Sequence, residues 1–67
     1  MPIVEVTLVR GRPPEELRAM ISAVTTAVSE SIAAPVASIR VIIREVPTTH
    51  FAAGDVTIAE RQAVGTT

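Results

Sequence analysis

The 67 residues predict an α/β chain: a β-α-β unit with two parallel strands, then a C-terminal hairpin, with the sheet extended by another subunit. Three observations carry this. Apolar, β-branched runs occupy residues 2–9 and 38–46, an apolar stripe at spacings of three and four lies between them, and Gly54-Asp55 marks a turn in the tail. No repeat or linker divides the chain, which reads as one domain over residues 1–67.

The first strand spans Pro2 to Val9, where Ile3, Val4, Val6, Leu8 and Val9 supply strand formers and Glu5 and Thr7 interrupt on one parity. Gly11 ends it. Pro13-Pro14-Glu15-Glu16 then starts a helix, because proline tolerates the first turn and the carboxylates favour the positive end of the helix dipole. Leu17, Met20, Ile21, Val24, Ala27, Val28 and Ile32 form one helical stripe, the mark of a helix that lies flat on another surface. Ala34-Pro35 stops the helix, since a residue before proline is pushed out of the helical region.

The second strand is expected over Ser38 to Val46, with Ile39, Val41 and Ile43 on one face and Arg40, Ile42 and Arg44 on the other. Pro47 closes it. A strand-helix-strand series this short implies a right-handed crossover and parallel strands. The tail from His50 carries a hairpin turn at Gly54-Asp55 and is expected to fray into Gly65-Thr66-Thr67.

A domain of 67 residues leaves much apolar surface uncovered when it folds alone. The chain has no Cys for disulfides and one histidine, His50, so neighbouring subunits are the remaining source of burial. Hydrophobic residues make up 48% of the chain with Phe51 the only aromatic, so Ile, Val, Leu and Ala must pack across subunit contacts. A homo-oligomer is expected. Net charge is −1 with no Lys and no basic run, which argues against nucleic acid as a partner. No apolar stretch approaches the roughly 20 residues of a membrane span, and the start lacks a signal-peptide pattern, so a cytoplasmic location is expected.

Pro2 is the first candidate for chemistry. Removal of Met1 would leave it a free secondary amine, and partial burial and nearby cations would lower that amine's pKa toward neutrality and make it a base. Its plainer role is to begin the strand. Arg12 and Arg40 can each bind a carboxylate through two hydrogen bonds, and both together would hold a dicarboxylate beside the amine. Their plainer roles are a solvated loop residue and an ion pair with Glu45 or with a carboxylate of another chain. Phe51 can exclude water from the site or anchor the tail, and His50 receives no role. One His, no Cys and no carboxylate cluster argue against a metal site, and a Gly-rich phosphate loop and a Ser-His-Asp set are both missing.

Met-Pro-Ile at the start, Gly11-Arg12, Ser38-Ile39-Arg40-Val41-Ile42-Ile43 and His50-Phe51 together resemble the 4-oxalocrotonate tautomerase family, from Pro2 to about Arg61. The resemblance implies a homohexamer built as a trimer of dimers, with two β-α-β units joined in a four-stranded sheet and active sites shared between subunits. It implies that Pro2 moves a proton between the 2-hydroxyl oxygen of a dienol and a distant carbon, giving a conjugated enone. Arg40 would bind the 2-hydroxyl end and its carboxylate, Arg12 the far carboxylate, and Phe51 would line the pocket, with no cofactor.

Ala52-Ala53 and Asp55 depart from the glycines and larger aliphatic residue usual in that segment, which bears on the pocket floor and the substrate. An isomerase of a 2-hydroxymuconate-like dienol dicarboxylate in aromatic catabolism is the leading expectation. The alternatives are a hydratase or dehalogenase of unsaturated acids, with Asp55 in the region of a water-activating carboxylate, and a non-catalytic subunit of a mixed oligomer.

Overall fold

The computed structural model describes residues 1–64. The chain runs β1 (Ile3–Val9), α1 (Pro14–Ile32), a 3-10 turn (Val36–Ser38), β2 (Arg40–Val46), a second 3-10 turn (Thr48–His50), β3 (Ala52–Ala53), β4 (Val56–Thr57) and α2 (Ile58–Val64). β1 and β2 pair in parallel from Ile3 opposite Arg40 to Val9 opposite Val46. The periodicities in the sequence therefore place these strands and this helix where they are found.

The sheet has two unlike faces. Val4, Val6, Leu8, Val41 and Ile43 are half-buried on the side of α1, which packs against β2 through a half-buried stripe of Leu17, Met20, Ile21, Val24 and Val28. Ile3, Glu5, Thr7, Arg40, Ile42 and Arg44 stand exposed on the opposite face. There Arg44 Nη2 lies 3.7 Å from Glu5 Oε1, a cross-strand diagonal pair. Arg40 makes no pair with Glu45, because an odd separation along a strand puts the two on opposite faces.

Three boundaries differ from the sequence reading. The helix ends at Ile32, where Ala33 adopts a left-handed conformation (φ 57°) one residue ahead of Ala34-Pro35. Ser38 belongs to a 3-10 turn, so the second strand begins at Arg40 rather than at Ser38. The tail beyond the hairpin is helical over Ile58–Val64; the expected fraying at residues 65–67 lies outside the described residues.

The hairpin forms as read. Gly54 (φ 59°) and Asp55 (φ 68°) both take positive φ between the antiparallel β3 and β4, the pattern of a two-residue type I′ turn. Glycine adopts that conformation freely, and aspartate is one of the few other residues that tolerate it. α2 follows through a reciprocal capping box: the Glu60 N–H donates to Thr57 Oγ1 at 3.1 Å and the Thr57 N–H donates to Glu60 Oε1 at 2.8 Å. Thr57→Ala is expected to cost about 1 kcal/mol, read as a lower urea midpoint with an unchanged slope.

The single chain has almost no interior. Among the described residues only Ile39, at 9% exposure, is a buried hydrophobic, and no side chain is fully buried. The radius of gyration is 15.5 Å. A folded chain of this length would measure about 11 Å. Ile3 (58% exposed), Ile42 (47%) and Val64 (82%) stand in the open. Apolar surface left uncovered on this scale marks contact with other chains.

Candidate functional site

The parallel register brings the starts of both strands to one end of the sheet. Pro2, half-buried, immediately precedes β1, and its carbonyl accepts the Arg40 backbone N–H at 2.9 Å. Arg40 is exposed, and its Nη1 donates to the Ala37 carbonyl at 3.0 Å. The sheet thus joins an N-terminal proline and an arginine that lie 38 positions apart in sequence (40 − 2). With Met1 attached, the Pro2 nitrogen is an amide and has no basicity. Met1 itself is 78% exposed and free of strand structure.

Arg12 lies at the other end. It follows β1, whose length of seven residues separates it from Pro2. At the strand rise of 3.3 Å per residue this amounts to about 23 Å. Its Nη1 lies 3.4 Å from Glu16 Oε1, an exposed i,i+4 contact across the first turn of α1. Phe51 leaves from that same end, five residues after Val46, whose carbonyl accepts the Arg10 N–H at 2.7 Å. The Phe51 carbonyl accepts the Ile58 N–H at 2.9 Å, which ties the aromatic residue to the start of α2. Phe51 itself is 37% exposed, so it stands at the surface of this chain and does not anchor a core.

The candidate residues therefore divide between the two ends of one sheet, Pro2 and Arg40 at one, Arg12 and the segment that leads to Phe51 at the other. One chain alone cannot close them around a ligand. Hollows among the described residues lie elsewhere. One is bounded by Asp55, Val56, Glu60, Arg61 and Val64 beside the hairpin, another by small residues on the outer side of α1.

Asp55 and His50 have local explanations. Asp55 occupies the left-handed position of the hairpin turn and is exposed there. His50 Nδ1 and the Thr49 hydroxyl lie 2.8 Å apart at the surface. No group of three or more His, Cys, Asp or Glu side chains with metal-binding geometry occurs among the described residues. No helix among them is long and apolar enough to cross a membrane.

A feature the sequence reading passed over is the turn that seats Arg40. Pro35 and Ser38, which bound it, are both residue types that favour turns. The β-branched and apolar residues that follow hide it by extending the apparent strand backward.

Comparison with known proteins bears on this geometry. A family model described as "Tautomerase enzyme" matches residues 2–61. The chain is 43% identical over 54 residues to a 2-hydroxymuconate tautomerase of Stutzerimonas stutzeri, an alignment covering 81% of this chain and 86% of the relative. Among solved structures it is similar to TomN, a 4-oxalocrotonate tautomerase homologue in the tomaymycin biosynthetic pathway. The TM-score is 0.91 at 40% identity, covering 92% of this chain and 95% of that one. It also matches a heterohexamer 4-oxalocrotonate tautomerase from Chloroflexus aurantiacus, with a TM-score of 0.87 at 33% identity and coverage of 90% and 97%.

Proposed function

This chain belongs to the tautomerase family, and we propose that it is a cofactor-independent isomerase that converts a 2-hydroxydienoate of the 2-hydroxymuconate kind to its conjugated 2-oxo enone. The observation that carries the reading is the strap between the Pro2 carbonyl and the Arg40 N–H, which fixes the chain terminus beside a guanidinium-bearing residue. Once Met1 is removed, the Pro2 amine is the base. It takes the proton of the 2-hydroxyl group and returns it to a distant carbon of the conjugated chain, so the proton count balances and no redox partner is needed. Arg40 binds the carboxylate and developing oxyanion at the 2-hydroxyl end, Arg12 binds the far carboxylate, and Phe51 walls off water.

The two free edges of the sheet support the assembly. A two-fold axis perpendicular to the sheet pairs identical edge strands antiparallel and makes four strands from two. The same operation sets the Pro2 and Arg40 end of one copy beside the Arg12 and Phe51 end of the other. The two separated ends thereby meet. We take the functional unit to be a homohexamer, a trimer of such dimers, in the cytoplasm. The heterohexameric relative supports a second reading, in which this chain is one of two kinds of subunit.

The test is direct. Mass spectrometry of the purified protein is expected to show loss of Met1, and ultraviolet absorbance is expected to follow ketonisation of 2-hydroxymuconate without added metal or cofactor. Retained Met1 removes the proposed base. Processed but inactive protein that gains activity only with a homologous second chain supports the mixed oligomer.

A further inference from the structure

The link from α1 to β2 is clamped by two hydroxyls on consecutive carbonyls. Ser29 Oγ donates to the Ala34 carbonyl at 2.7 Å, and Ser38 Oγ donates to the Pro35 carbonyl at 2.7 Å. The turn itself is built from the Ser38 N–H donating to the Pro35 carbonyl at 2.9 Å and the Ile39 N–H donating to the Val36 carbonyl at 3.1 Å. Continued one step, the same series would send the Arg40 N–H to the Ala37 carbonyl. It does not. The Arg40 N–H goes to the Pro2 carbonyl instead, and the Ala37 carbonyl receives the Arg40 guanidinium.

Ending the turn at this step therefore frees one donor for the chain terminus and one acceptor for the guanidinium. Ser38 sits where the turn ends and is half-buried. Its hydroxyl and its N–H both hold the Pro35 carbonyl, which fixes the direction in which the Ala37 carbonyl points. An arginine side chain has many rotamers of similar energy, so a fixed acceptor at its tip selects among them.

We propose that Ser38 is a positioning residue for Arg40, holding the turn whose Ala37 carbonyl seats the guanidinium. The kinetic part of its test rests on the isomerase reading; the spectroscopic part does not.

Ser38→Ala is expected to lower kcat/KM for 2-hydroxymuconate about 5- to 10-fold, the worth of one neutral hydrogen bond. Ser38→Thr, which keeps a hydroxyl on Cβ, is expected to restore the rate to within about 2-fold. In an Arg40→Ala background, Ser38→Ala is expected to cost less than about 2-fold, because residues that share one interaction are non-additive. Independently of turnover, 15N relaxation of the Arg40 Nε–H group in the assembled protein is expected to show greater mobility in Ser38→Ala and native rigidity in Ser38→Thr. Ser29→Ala removes a clamp of equal length one residue away and is expected to leave that resonance unchanged.

Unchanged Arg40 mobility in Ser38→Ala, equal mobilisation by Ser29→Ala, or an additive double mutant would overturn the proposal. An inactive wild type whose Arg40 mobility still depends on the Ser38 hydroxyl sinks the isomerase reading and leaves the positioning role standing.

Discussion

Pro2→Ala is expected to lower kcat/KM for 2-hydroxymuconate by about 10²- to 10⁴-fold, the usual worth of a positioned general base. The variant still has an amine at its terminus once Met1 is removed, so the loss does not come from deleting nitrogen. It comes from freeing it. The proline ring locks rotation about the N–Cα bond and so the direction of the nitrogen lone pair, and the Arg40 N–H holds the adjoining carbonyl at 2.9 Å, so the ring nitrogen is aimed by two constraints. Alanine keeps only the second. The wild-type rate is expected to rise with pH through the pKa of the free amine, because protonation removes the lone pair that accepts the proton. A Pro2→Ala enzyme within about 3-fold of wild type would assign the base to another group. The same logic applies to unprocessed protein. A retained Met1 turns the Pro2 nitrogen into an amide and carries the free amine one residue further out, a displacement of about 3 Å at strand geometry.

How far the sequence discloses this arrangement depends on the range of the interactions involved. β1, α1 and β2 are legible because their periods of 2 and 3.6 are imposed by one shared face, and the parallel register follows from the crossover. The turn at Gly54-Asp55 is legible because positive φ restricts residue choice. The start of β2 is misread because Ile39 suits a strand by propensity and continues the alternation of β2 backward, while the i to i+3 bonds from Pro35 win locally. α2 is hidden in the sequence although Thr57-Ile58-Ala59-Glu60 spells a capping box, because its seven residues are too few to show a helical stripe.

The candidate site is legible as a set of residues and illegible as a place. Pro2 and Arg40 meet through backbone pairing within the chain, which the strand register foretells. Arg12 follows the far end of β1, and no pattern within one chain states what would lie beside it in an assembly. That information resides in the free edges and exposed apolar side chains. Ile3 and Ile42, on the open face of the sheet, are the plainest instance.

Arg12→Ala separates these two levels of reading, since it should spare chemistry and damage recognition. A guanidinium-carboxylate contact contributes about 1.5–3 kcal/mol as a charge-assisted hydrogen bond, which corresponds to roughly 10- to 150-fold in kcat/KM. That loss is expected for 2-hydroxymuconate and should shrink to about 2-fold or less for an otherwise similar monocarboxylic dienol, which offers Arg12 nothing to bind. Glu16 sharpens the test because its carboxylate already lies 3.4 Å from the Arg12 guanidinium and competes with the substrate's. The pair is exposed, with side-chain exposures of 63% and 56%, so it is a weak competitor worth less than about 1 kcal/mol. Glu16→Gln is accordingly expected to lower KM for the dicarboxylate by about 2- to 3-fold, opposite in sign to Arg12→Ala. Equal losses for both substrates in Arg12→Ala would mean that Arg12 supports the assembly and does not read the distal acid. Sedimentation of the variant separates that outcome, since a lost subunit contact changes the oligomer and a lost substrate contact does not.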